Sequence, residues 1–280
     1  MKHLLLALLL ALVPVTLFAA PEPVRHAVAQ APTPVLNTPN FADAFSGARR
    51  LDPCQGVRPI EFVALPGTLF TVHETLNDHG ITVYRVTSTD YPYPSSTGYF
   101  VDARFVEKAD AAAPERTPHL PALAEIQRGL LASLGRPYVW GGNLRDGVPL
   151  IGELYPKGDR LAGVDCSGLL YEATDGYTPR NTSALTGFGQ AVPIAGLSAE
   201  QIAHKLKPLD LIVLKGHVMV VLDGDSIIQS TMGCQGKSGV RLTPIRQTLR
   251  GLMANRRPWD DYPQGPAGKK AFVVRRWFTP

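Results

Sequence analysis

Apolar positions follow two different rhythms along the chain. Between Gln55 and Lys108 they come in short β-type runs, Thr68 to His73, Ile81 to Thr87 and Gly98 to Val106. The polar clusters Asn77-Asp78-His79-Gly80 and Asp90 to Thr97 separate these runs, which predicts a small all-β unit over 55–108. An Ala- and Pro-rich break over 109–118 follows. Leu120, Leu123, Ile126, Leu130, Leu131 and Leu134 then recur near helical spacing up to Gly135, predicting a helix that opens a second unit over 119–252. Further helices are expected from Asp165 through Ala173 and over Ala199 to Leu206. Asp210 to Leu214, Val218 to Leu222, Ser226 to Gln229 and Gly239 to Leu242 are apolar runs broken at Lys215-Gly216 and Asp223-Gly224-Asp225, the pattern of an antiparallel meander. Helices followed by a meander predict an α+β domain.

The ends of the chain have their own character. Residues 1–20 carry a basic Lys2, an apolar run from Leu4 to Phe18 and small Ala19 and Ala20 before Pro21, as a secretory signal peptide does. Pro14 interrupts the run, which is shorter than the roughly 20 residues of a spanning helix. With no cysteine near the cut for lipid attachment, the mature protein is expected to be exported, periplasmic or secreted, without a membrane span. Residues 21–54 are Pro-rich and read as an extended arm. Residues 253–280 read as a basic extension, in which Arg256, Arg257, Lys269, Lys270, Arg275 and Arg276 outnumber Asp260 and Asp261, with a final strand over Ala271 to Phe278 whose charges are solvated.

Charge changes the picture little. Lys and Arg number 28 against 24 Asp and Glu, a net +4 without basic runs, so a nucleic-acid partner is not expected. Gly 26 and Pro 25 in 280 residues are too few for a collagen-like or wholly disordered chain. The chain is expected to act as a monomer. Its 3 cysteines, Cys54, Cys166 and Cys234, leave one thiol over in an oxidising compartment.

Cys166 lies in Gly-Val-Asp-Cys-Ser-Gly-Leu-Leu-Tyr, where a polar entry precedes an apolar helical run. A thiol at a helix N-terminus is expected to have a depressed pKa and to serve as a nucleophile. His217 begins an apolar strand directly after a turn and is a candidate base. Gln229, twelve residues on, can be set beside it by a hairpin and can accept the far ring proton, the orienting role in triads.

These residues and their flanks carry a resemblance. Pro137-Tyr138-Val139-Trp140-Gly141-Gly142, then Asp165-Cys166-Ser167-Gly168, Pro208-Leu209-Asp210-Leu211 and His217-Val218 resemble, in order, the signatures of the NlpC/p60 family of cysteine peptidases. Pro179-Arg180-Asn181-Thr182-Ser183 is similar to a further family segment, and residues 55–108 look like a bacterial SH3-like domain. The resemblance implies a papain-like catalytic domain, helices packed on an antiparallel sheet, preceded by a small SH3-like barrel. It implies cleavage of peptidoglycan stem peptides, most often between γ-D-glutamate and a diamino acid such as meso-diaminopimelate, without metal or other cofactor. Cys166, His217 and Gln229 would be catalytic, Tyr138 and the Cys166 amide would hold the oxyanion, and Asp165 and Ser167 would contact the stem peptide's amino end. Helix capping is an equally open reading of Asp165 and Ser167.

Two departures stand out. Residues 143–164 intervene where relatives have a shorter connection, and are expected to form a wall or lid over the cleft. Gln229 takes a position where the family usually has His. With Cys166 as nucleophile, Cys54 and Cys234 are left as an even pair for which two readings stay open, a bridge between the two domains and two unpaired thiols. The alternatives are a cell-wall binding module with a weak or inactive papain-like domain, and an amidase or acyltransferase acting on another substrate through the same thioester.

Overall fold

The computed structural model describes residues 24–47, 59–110, 113–233 and 238–279. The expected signal peptide and the possible Cys54–Cys234 bridge lie outside these residues.

The first unit is built from β1 (His26–Ala29), β2 (Thr33–Leu36), the short helix α1 (Phe41–Ala44), β3 (Ile60–Ala64), β4 (Leu69–Asp78), β5 (Ile81–Thr87), β6 (Tyr99–Asp102) and β7 (Val106–Ala109). They form an antiparallel sheet of order β3-β2-β6-β5-β4-β1-β7. The β4–β5 hairpin turns on His79 and Gly80, both at positive φ (52° and 88°), with the Gly80 N–H donating to Asn77 Oδ1 at 3.0 Å. Two left-handed central residues match the twist of the paired strands. The Pro-rich arm expected over 21–54 is therefore corrected in part: β1 and β2 belong to this sheet, and Ala27, Val35, Leu36 and Phe41 are buried in its core.

The second unit adds α2 (Leu123–Ala132), β8 (Asn143–Leu144), α3 (Pro149–Leu154), β9 (Gly163–Val164), α4 (Cys166–Ala173), α5 (Thr182–Leu185), β10 (Gln190–Ala191), α6 (Ala199–Lys205), β11 (Leu211–Leu214), β12 (His217–Val221), β13 (Ser226–Thr231), β14 (Gly239–Pro244), α7 (Ile245–Met253), β15 (Arg257–Pro258) and β16 (Ala271–Arg276). Its sheet runs β10-β16-β11-β12-β13-β14, antiparallel along this path. Each central strand is apolar on both faces because both are covered. Val213, Val218, Val220 and Ile228 pack with Ile126 and Leu130 of α2 and Leu169 and Leu170 of α4. Ile212, Leu214, Met219 and Val221 pack on the other side with Ile202 of α6 and Leu249 of α7. The architecture is α+β, a sheet between two helical layers.

The final strand is no appendage. β16 lies in the sheet beside β11, and its charges are not solvated as expected: Arg275 is buried and donates to the Gly189 carbonyl at 2.7 Å, while Arg276 pairs with buried Asp210 at 2.6 Å. Residues 143–164 also depart from expectation. Val148, Ile151, Tyr155 and Leu161 join Leu36, Phe41, Ile60, Val63 and Phe100 of the first unit in one core, and Tyr155 OH donates to Asp102 Oδ2 at 2.6 Å. The segment ties the two units together instead of covering the cleft, because its apolar side chains satisfy the exposed face of the first sheet.

Candidate active site

Asp165, extended at φ −81° and ψ −176°, caps α4 by accepting from the Gly168 N–H at 2.6 Å. The cap starts the helix at Cys166, and α4 is buried from Cys166 to Tyr171. The thiol sits on the floor of a cleft of about 590 Å³ between the two units. Glu61 and Tyr91 line it from the first unit, Tyr138, Ser167 and Arg180 from the second, and Tyr262 to Gly265 with Gly268 close another side.

Sγ lies 3.6 Å from Thr182 Oγ1 and 4.0 Å from the carbonyl of Gly216, and the Val218 N–H points to it as well; the bond of the His217 ring is to Gln229. Gly216 is the turn residue directly before His217. His217 Nε2 is 2.9 Å from Gln229 Oε1, and Gln229 Nε2 donates to Thr243 Oγ1 at 3.2 Å. That second bond turns the amide oxygen toward the ring, so Nε2 carries the proton and Nδ1 keeps its lone pair. Thus the structure brings Cys166 to the Gly216 turn and His217 to Gln229.

The expected depression of the thiol pKa is overturned. Burial pushes Cys166 up from its ordinary 9.0, and the Asp165 carboxylate next to it adds to the rise, against the lowering contacts of Thr182, the Val218 N–H and Arg180. The short helix does not outweigh desolvation. Burial likewise pushes His217 down from 6.5, helped by Arg241 and Arg256, while the Gln229 bond opposes it. Both shifts favour the uncharged forms of the two side chains. Alkylation of Cys166 by iodoacetamide is therefore expected to rise with pH as one step centred above 9, because only the thiolate reacts. A plateau already reached at pH 7 would show a preformed thiolate–imidazolium pair instead.

Of the readings left open by the sequence, the structure bears on capping, and for Asp165 alone. Asp165 caps α4, and both residues line the cleft. They are also joined in a network centred on Arg180, which is 3% exposed. Arg180 reaches Asp165 Oδ2 at 2.7 Å, Asp165 Oδ1 at 3.0 Å, Ser167 Oγ at 2.9 Å and Asn143 Oδ1 at 3.3 Å. In the sequence Arg180 lies in a family-like segment and carries no assigned role. Glu61, Tyr91 and Tyr262 carry no local signal in the sequence and reach the cleft only through tertiary structure. Tyr138 lines the cleft as well. Among the described residues, no cluster of three or more His, Cys, Asp or Glu could hold a metal ion.

No family model and no curated protein matches the chain. Solved structures do match. A crystal structure of an NlpC/P60 family protein from Bacillus cereus ATCC 10987 is 18% identical with a TM-score of 0.35, over 91% of this chain and 64% of that one. An NlpC/P60 endopeptidase from Photobacterium damselae subsp. piscicida is 14% identical with a TM-score of 0.32, over 82% of this chain and 50% of that one. RipD from Mycobacterium tuberculosis, described as a non-catalytic NlpC/p60 domain protein adapted to peptidoglycan binding, is 21% identical with a TM-score of 0.31, over 45% of this chain and 89% of that one. The structural neighbours are thus NlpC/P60 proteins, and this chain spans less than two thirds of the length of the Bacillus protein.

Proposed function

We propose that the protein is an exported cysteine endopeptidase that hydrolyses peptidoglycan stem peptides at the bond between γ-D-glutamate and a diamino acid. The observation that carries this reading is the buried helix start at Cys166 on the cleft floor, with the turn leading to His217 against its sulfur and His217 held by Gln229 at 2.9 Å. As substrate enters, His217 Nδ1 takes the thiol proton while Sγ bonds to the amide carbonyl carbon. The Cys166 N–H and the Tyr138 hydroxyl steady the oxyanion. The C–N bond then breaks, His217 protonates the leaving amine, and water, deprotonated by His217, releases the acyl group and restores the thiol.

Glu61 reaches the cleft from the first unit, here read as the SH3-like domain, and accepts from neutral donors, Asn37 Nδ2 at 2.7 Å and Tyr91 OH at 3.3 Å. Its carboxylate, with Asp165, suits the ammonium of a free stem-peptide amino end. A second reading, a cell-wall binding module with a weak papain-like domain, is favoured by the missing hydrogen bond between thiol and imidazole.

Incubation of the mature protein with purified peptidoglycan and with soluble stem peptides, followed by mass spectrometry, tests this. Fragments ending at γ-D-glutamate, formed faster from peptides with a free amino end, are expected. No fragments, with the protein still sedimenting with cell wall, would leave the binding module in front.

A further inference from the structure

Glu61 owes its position to an irregularity in β3. Val35 pairs with Phe62 and Leu36 with Ile60, so Glu61 is an extra residue on β3, a bulge. Bulges re-aim the side chain they carry, and here that side chain lines the cleft. β3 is also the edge of its sheet. An edge strand offers unpaired N–H and C=O groups, and at Val63 both are taken by one side chain. Asn143 Oδ1 accepts from the Val63 N–H at 2.8 Å, and Asn143 Nδ2 donates to the Val63 carbonyl at 2.9 Å. The amide stands in for a neighbouring strand.

Asn143 is also linked to the start of α4. Its Oδ1 also accepts from Arg180 Nε at 3.3 Å, and Arg180 grips Asp165, the residue before Cys166. The backbone just before it docks on the same strand: Gly141, at φ 70°, lies so near β3 that a Cβ there would be 2.5 Å from the Ile60 carbonyl oxygen. One short segment, 141–143, therefore touches β3 on both sides of Glu61 and is bonded through Arg180 to the start of α4.

We infer that Asn143 is a positioning residue that fixes the separation between Glu61 and Cys166, so that the cleft measures a set distance from a peptide's ammonium group to the bond that is cut. This rests on the proposed peptidase reading and adds to it a length selection enforced from the joint between the units. A peptide lacking the ammonium gains nothing from the fixed spacing.

The test compares a free-amino stem tripeptide, L-alanyl-γ-D-glutamyl-diaminopimelate, with its N-acetylated form, using wild type, Asn143→Ala and Glu61→Gln. Wild type is expected to prefer the free-amino form at least tenfold in kcat/KM. Asn143→Ala should lose most of that preference through a raised KM for the free-amino peptide, as Glu61→Gln does, its kcat/KM on the acetylated peptide falling several-fold less than on the free-amino one. Circular dichroism and thermal unfolding of Asn143→Ala report its folding separately. Retention of the preference in Asn143→Ala, or an equal loss on both peptides, overturns the inference while the peptidase reading stands. Failure of wild type to cut either peptide sinks the peptidase reading itself.

Discussion

Cys166→Ala is expected to lose turnover of stem peptides by roughly 10⁴- to 10⁶-fold, the scale on which removal of a covalent nucleophile acts. Stability should barely move. The side chain is small, its sulfur contacts are long, and Thr182 Oγ1 and the Gly216 carbonyl are the groups that lose it. Steady-state kinetics beside a urea unfolding curve checks both halves. A variant that kept more than about one percent of the rate would place the nucleophile elsewhere.

The second large effect concerns Arg180. Replacing it with Met leaves the Asp165 carboxylate buried without its cation and Ser167 Oγ without the donor it has in Arg180, while the Gly142 carbonyl keeps the Asp165 N–H at 2.9 Å. Breaking a buried pair from one side costs about 3–5 kcal/mol. Arg180→Met is expected to fall by that amount in urea denaturation. Arg180→Lys should lose less stability, since a charge remains, though not the two-pronged grip on Asp165. A loss below about 1 kcal/mol in Arg180→Met would mean that the network carries little of the fold. The double variant Asp165→Leu/Arg180→Met should recover part of the loss, because the stranded carboxylate is then gone.

The residues proposed to react are legible because each sits where a local pattern changes. Cys166 stands between a polar cap and an apolar helical run, His217 follows a Lys-Gly turn, and Gln229 lies one hairpin later. What escaped was set by tertiary contact. Thr33–Leu36 is buried at every position, so it lacks the alternation that marks a strand, and Pro34 disguises it further. Pro34 is tolerated because it lies opposite Val63, whose N–H and C=O turn outward to Asn143, and because β2 meets β6 only at Leu36. Residues 143–164 read as a lid since their apolar side chains have no partner in sequence; their partners are more than forty residues upstream in the first sheet. The thiol pKa went the other way because helix position is visible in sequence and desolvation is not.

The place of β16 bears on how the molecule is made. It pairs with β11, Leu214 opposite Phe272 and Leu211 opposite Arg275, across a stretch of chain that includes β12, β13, β14 and α7. During synthesis those later strands can zip onto one side of β11 while its other side waits. Until residues 271–276 emerge, β11 is an open, wholly apolar ribbon, Leu-Ile-Val-Leu, of the kind that recruits other chains. The nascent protein thus passes through an interval in which the helix that begins at Cys166 is already translated but the layer beneath it is unfinished, and in that interval the open side of β11 is the surface most exposed to pairing with a neighbouring chain.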